Sequence, residues 1–218
     1  MAVRSTRSVH PVEVVTVVGG SAVLLGSWIV VVRDHGVPAW EADLFQGING
    51  LPGAIWPVVW GPMQIGSLVG SLIVVAITYA VGRDGRLTLA AFVASQAAWW
   101  SGKAVKHEVN RGRPGAFFAD AHIREHAGGV GYVSGHSAVA FALAAVLAPS
   151  LPSRWRPVAL GAAMLVGFAR VYAGAHLPLD VVGGAGLGVL CGTLSRWAFG
   201  LGGEGLPPRI DRRGGQVR

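Results

Sequence analysis

The chain has 218 residues, 52% of them hydrophobic and 13% charged, with a net charge of +7 and a mean hydropathy of +0.51. A soluble domain usually carries about a quarter charged residues, so the composition excludes an ordinary soluble domain and points to one helical bundle in a membrane. The basic excess reads as loops that set topology and touch anionic lipid, not as a nucleic-acid surface. The lone Cys191, inside an apolar run, excludes an intrachain disulfide and reads as packing.

Charge-free stretches near the length of a bilayer crossing, about 20 residues, predict six spans in chain order. The first covers 14–32, after Arg4 and Arg7. It is longer than a secretory signal core and no small-residue cleavage pattern follows, so it reads as a retained anchor. The apolar stretch 44–82 is too long for one helix and divides into an interfacial segment, 44–53, and a span over 55–82. The others are 87–102, 137–153, 157–172 and 179–194. The expected architecture is all-α, a six-helix transmembrane domain over 1–200 with an outward-facing active site. The Gly-, Pro- and Arg-rich stretch 201–218 reads as a flexible basic cytoplasmic tail.

Six spans put both termini on one side. With the termini in the cytoplasm, the inner segments hold eleven of the eighteen basic residues and four of the eleven acids, and the outer segments hold seven of each. That asymmetry follows the positive-inside rule, and Trp28, Trp56, Trp60, Trp99, Trp100, Trp155 and Trp197 fall near span ends as an interfacial belt does. The outer segment 103–113, KAVKHEVNRGR, is nevertheless strongly basic. A basic cluster on the side the rule disfavours needs another reason.

Three polar clusters supply one. KHEVNRGRP (106–114) follows the third span, GYVSGHS (131–137) precedes the fourth, and ARVYAGAHLPLD (169–180) joins the fifth to the sixth. The parity of the spans puts all three on one membrane face. Lys106, Arg113 and Arg170 suit phosphate oxygens, Arg as a fork and Lys as a point charge. Ser134 is an N-cap residue, and Gly135 lets a ligand approach the free N–H groups of a helix start. His136 and His176 can divide nucleophilic attack and leaving-group protonation between them, and Asp180, four residues after His176, can hold that imidazole by its Nδ1–H.

These clusters resemble the signature of the type 2 phosphatidic acid phosphatase family, kin to bacterial acid phosphatases and vanadium haloperoxidases. The family pattern K-x6-R-P, P-S-G-H, S-R-x5-H-x3-D reads here as Lys106 to Arg113-Pro114, Val133-Ser134-Gly135-His136, and Ala169-Arg170 to His176 and Asp180. Val133 replaces the proline and Ala169 the serine. The second change is expected to remove one phosphate hydrogen bond. The resemblance implies a metal-independent, cofactor-free lipid phosphatase in which His176 is the nucleophile, Asp180 orients it and His136 serves the leaving group and then water. Lys106, Arg113, Ser134, Gly135 and Arg170 would bind phosphate. The implied substrate is a lipid phosphate or diphosphate of the outer leaflet, of the phosphatidic acid, phosphatidylglycerol phosphate or polyprenyl diphosphate class.

Other readings stand beside this one. HIREH, 122–126, fits the inverted zinc motif H-x-x-E-H, which requires a helix and a third ligand. Its flanks are Gly-rich loop, so His122 and His126 are read as exposed. Lys103 is read as a snorkelling interfacial lysine, and Arg111 and Arg124 as solvated loop charges. A non-catalytic lipid-binding or transport protein is the third class. A transporter places its polar residues near mid-membrane, whereas these lie at one interface.

Overall fold

The computed structural model describes residues 11–34 and 36–202. Arg4, Arg7 and the tail from residue 203 onward lie outside the described residues. Within them the chain forms α1 (Pro11–Asp34), α2 (Ala39–Asn49), α3 (Trp56–Met63), α4 (Leu68–Gly82), α5 (Gly85–Val109), α6 (Gly135–Leu147), α7 (Arg156–Tyr172) and α8 (Pro178–Ala198). No strand occurs among the described residues, as the all-α expectation requires.

Local chemistry sets several of the boundaries. Asp84 caps α5, its Oδ1 accepting from the N–H groups of Arg86 at 2.9 Å and Leu87 at 3.1 Å. Ser67 caps α4, accepting from Gly70 N at 2.9 Å. Ser134 caps α6, accepting from Ser137 N at 3.4 Å. α5 ends where Asn110 turns left-handed, with φ of 49°. It therefore runs past the expected end at 102 and carries Lys106 on its last turn.

The span expected over 55–82 is not one straight helix. Residues 53–66 and α4 form a bent pair at 72°. Pro62 lies inside α3, and the short 3-10 turn Gln64–Gly66 leads into the Ser67 cap. A helix restarted by its own cap need not keep the axis of the one before it. By length and apolarity two helices, α1 and α8, can cross a membrane, and the bent pair makes a third if it counts as one span. These criteria do not reach the expected six.

α8 is the centre of the bundle, packed against α1, α5 and α6. One face of α8 carries Gly184, Gly188 and Gly192 at four-residue spacing. A Cβ at these positions would sit 2.5 Å from Ser134 O, 2.3 Å from Ala138 O and 2.6 Å from Ala142 O. Only glycine lets α6 and α8 approach that closely, the small-residue contact typical of helices in lipid. The outer faces are apolar. Val69, Ile73, Ile77 and Val81 line the exposed side of α4, with Val81 79% exposed, and Val12, Val15 and Val18 do the same on α1. Water would penalise such continuous stripes and lipid does not, so this is the surface of a membrane protein.

Candidate active site

The C-terminal ends of α5 and α7 and the N-terminal ends of α6 and α8 meet at one end of the bundle. A cavity of about 520 Å³ opens there, lined by Lys106, Arg113, Gly135, His136, Arg170 and His176 together with Trp99, Lys103 and the loop 125–130. The three sequence clusters thus converge. Two of the residues singled out stand behind the wall. Ser134 is fully buried and accepts from Ser137 N–H and, at 3.1 Å, from Ser137 Oγ; Asp180 is fully buried beneath His176.

His176 lies between a carboxylate and a guanidinium. Its Nδ1 is 3.3 Å from Asp180 Oδ2. Its Nε2 is 3.4 Å from Arg113 Nη1. A carboxylate only accepts and a guanidinium only donates, so the proton belongs on Nδ1 and the lone pair on Nε2. Burial, with the nearby charges of Lys106, Arg170 and Arg113, holds the His176 pKa well below its ordinary value, so the ring is neutral. The turn that carries it is fixed locally. Leu177 N donates to Asp180 Oδ2 at 3.0 Å, and Pro178 starts α8.

The cations are held by backbone carbonyls. Lys106 Nζ donates to Val130 O at 2.9 Å and Gly131 O at 2.7 Å. Arg113 donates to Gly128 O, Gly129 O and Ala175 O, the last at 2.6 Å. Burial and then Arg170 lower the Arg113 pKa. Arg170, 2% exposed, pairs through Nη1 with Glu125, and its buried Nε has no hydrogen-bond partner. A buried donor without a partner is costly.

Several expectations are corrected. Arg111 is no solvated loop charge. It is 6% exposed, paired with Glu41 Oε2 at 2.6 Å and Asp180 Oδ1 at 3.0 Å. Burial alone would lower its pKa, but Glu41 and Asp180 outweigh it and raise the value. Arg124 is structural. Its guanidinium stacks 4.1 Å from the centre of the Tyr172 ring and donates to Asn49 O, Tyr172 O and Leu51 O. Lys103 lies over the rings of Trp99 and Trp100, at 5.4 and 5.0 Å, and lines the cavity. Ala169 is fully buried beside Val59, Met63 and Tyr172 and does not line the cavity, so its loss of a hydroxyl costs no contact there. Val133, also fully buried, packs in the main core.

HIREH forms no helix. His122 and His126 are exposed, as expected, and Glu125 is taken by Arg170. Among the described residues no three His, Cys, Asp or Glu side chains are grouped as metal ligands would be.

Glu41 was not legible as a site residue. It is fully buried, accepting from both Arg111 and, at 2.8 Å, from Leu179 N. The available signal was an acid beside an apolar stretch, at 41 before 44–82, where a charge is costly without a partner.

Cations facing a histidine that rests on a carboxylate, at the end of a membrane-type bundle, define an enzyme that handles phosphoryl groups. The chain belongs to the PAP2 superfamily, whose family model matches residues 68–201, and it is thereby of the phosphatase class. Two solved structures share the fold. LpxE of Aquifex aeolicus is 24% identical over 72% of this chain and 95% of its own, with a TM-score of 0.67. The transmembrane PAP2-type phosphatidylglycerolphosphate phosphatase of Bacillus subtilis is 21% identical over 82% of this chain and 94% of its own, with a TM-score of 0.68. No curated protein sequence matches the chain.

Proposed function

We propose that the protein is a membrane lipid phosphatase that works through a phosphohistidine on His176 and needs no metal. The observation that carries this reading is the setting of His176, with a carboxylate at Nδ1 and a cation-lined cavity at Nε2.

The Nε2 lone pair attacks phosphorus, and the P–O bond to the lipid breaks. Its electron pair goes to the departing alkoxide, which takes a proton from His136. The new N–P bond leaves the His176 ring cationic, and Asp180 stabilises that charge through Nδ1–H. His136, now neutral, takes a proton from water as its oxygen attacks phosphorus. The N–P bond breaks, its pair returns to Nε2, phosphate leaves and His136 is again protonated. Lys106, Arg113, Arg170 and the Gly135 N–H hold the equatorial oxygens as charge spreads over them. Ser134 acts as the cap that aims that amide.

The substrate is a lipid phosphate or diphosphate. An apolar outer surface around a polar cavity at one end of the bundle suits a head group whose chains stay in the bilayer. One structural relative is a phosphatidylglycerolphosphate phosphatase, so this lipid joins phosphatidic acid and polyprenyl diphosphate on the panel to try. The charge asymmetry supports six crossings over 1–200, cytoplasmic termini and a site facing the outer leaflet. The test is phosphate release from that panel by purified protein in detergent with EDTA present. Turnover that disappears in His176→Ala supports the reading, and turnover abolished by EDTA refutes its metal-independence.

A further inference from the structure

Glu41 lies outside the three motifs and Arg111 occupies an unspecified position within the first, yet they are among the most buried charges near the site. Glu41 is fully buried and Arg111 6% exposed. They continue a line that begins at the reacting atom. His176 Nδ1 meets Asp180 Oδ2 at 3.3 Å; Asp180 Oδ1 meets Arg111 Nη1 at 3.0 Å; Arg111 meets Glu41 Oε2 at 2.6 Å and Oε1 at 3.2 Å. Glu41 comes from α2, so a helix outside the motif-bearing bundle supplies the last member.

A single carboxylate is enough to orient an imidazole, and a single arginine is enough to keep that carboxylate ionised. The second carboxylate needs its own explanation. With neutral His176, the group of Glu41, Arg111 and Asp180 carries a net charge of −1. When His176 attacks phosphorus its ring becomes cationic and the four together become neutral. Without Glu41 they would be neutral at rest and carry +1 in the intermediate, in a buried place that already holds Lys106, Arg113 and Arg170 on its other side. Such a charge is poorly tolerated in low dielectric.

We propose that Glu41 and Arg111 are positioning residues that act through Asp180 and pre-charge the site for the cationic state of His176. This rests on the reading of His176 as nucleophile. Glu41 also has a structural task, accepting from Leu179 N in the first turn of α8. Glu41→Gln separates the two, because the amide oxygen can still accept from Leu179 N while the charge is gone.

The experiment measures kcat and KM for phosphatidic acid in detergent micelles, using the full chain as wild type, Glu41→Gln, Glu41→Asp and His176→Ala. The expected result is a kcat for Glu41→Gln roughly tenfold down, with KM within about twofold. Glu41→Asp, which keeps the charge, recovers most of that loss. A wild-type kcat in Glu41→Gln, a loss confined to KM, or a Glu41→Asp as slow as Glu41→Gln overturns the proposal. Turnover persisting in His176→Ala instead overturns the nucleophile reading on which it rests. If Glu41→Gln does not purify folded, the double replacement Glu41→Met with Arg111→Met carries the test, since apolar replacement of a buried ion pair is often tolerated. A folded double variant loses one charge of each sign and keeps the group at −1 at rest, so its kcat should stay within about tenfold of wild type, and a loss of about a hundredfold or more would overturn the pre-charging proposal.

Discussion

Asp180 Oδ2 stands 3.3 Å from Nδ1 of His176, four residues earlier in the chain, and also accepts from Leu177 N at 3.0 Å. The same oxygen therefore fixes the turn and the tautomer. Asp180→Asn keeps the size of the side chain but removes the charge that holds the proton on Nδ1. The expected outcome is a fall in kcat of about a thousandfold or more with KM little changed. Steady-state kinetics on a folded variant checks it, and a loss under tenfold would show that the carboxylate is not needed for the tautomer.

Arg113 tests geometry apart from charge. Arg113→Lys keeps the positive charge but cannot bridge Gly128 O, Ala175 O and His176 Nε2 at once, as the guanidinium does. A fall in kcat/KM of about 10- to 100-fold is expected. A lysine variant as active as wild type would reduce Arg113 to a charge.

The pH profile carries a sign. Burial first, then Lys106, Arg170 and Arg113, depress the His176 pKa. The nucleophile therefore stays unprotonated as pH falls through the ordinary histidine value, about 6.5, and kcat/KM should show no acid limb from His176 there. Lys106→Ala removes one of the depressing charges, so the residual activity should show its acid limb at higher pH. An acid limb that stays in place or moves lower would contradict the assignment of that limb to His176.

Arg124 and Gly188 test the scaffold. Arg124→Ala gives up three carbonyl partners and the Tyr172 face. About 2 kcal/mol of stability should be lost, seen as a lower Tm in detergent, with kcat nearly kept. Gly188→Ala forces a Cβ to within 2.3 Å of Ala138 O, and about 1–3 kcal/mol should be lost as α6 and α8 separate. A variant as stable as wild type would mean that the two helices have slack that the structure does not show.

Legibility divided along physical lines. Five of the expected spans fall on single helices and the other, 55–82, on a bent pair, because long charge-free stretches are a local signal of helix, though not of a crossing. The six cavity-lining motif residues were found because their spacing carries chemistry: Lys106 and Arg113 frame the end of α5, and His176 and Asp180 share one turn. What the sequence hid is non-local. The 72° bend at residues 64–67 rests on a serine cap and a proline inside an unbroken apolar run. The extension of α5 to Val109 crosses charged residues that a hydropathy reading treats as loop. Arg111 looked like its solvated neighbours, because the acid that buries it, Glu41, lies 70 residues away in the chain. Arg124 is hidden for the same reason, since its partners are carbonyls of residues 49, 51 and 172.

The most direct test of the central claim is to trap the intermediate. Wild type and His176→Ala would be mixed with a lipid phosphate labelled at phosphorus, in EDTA, and quenched in alkali, where a phosphohistidine survives. The account predicts label bound to the wild-type chain, released by acid, and absent from His176→Ala. Turnover with no bound label, or equal label on both chains, would contradict it.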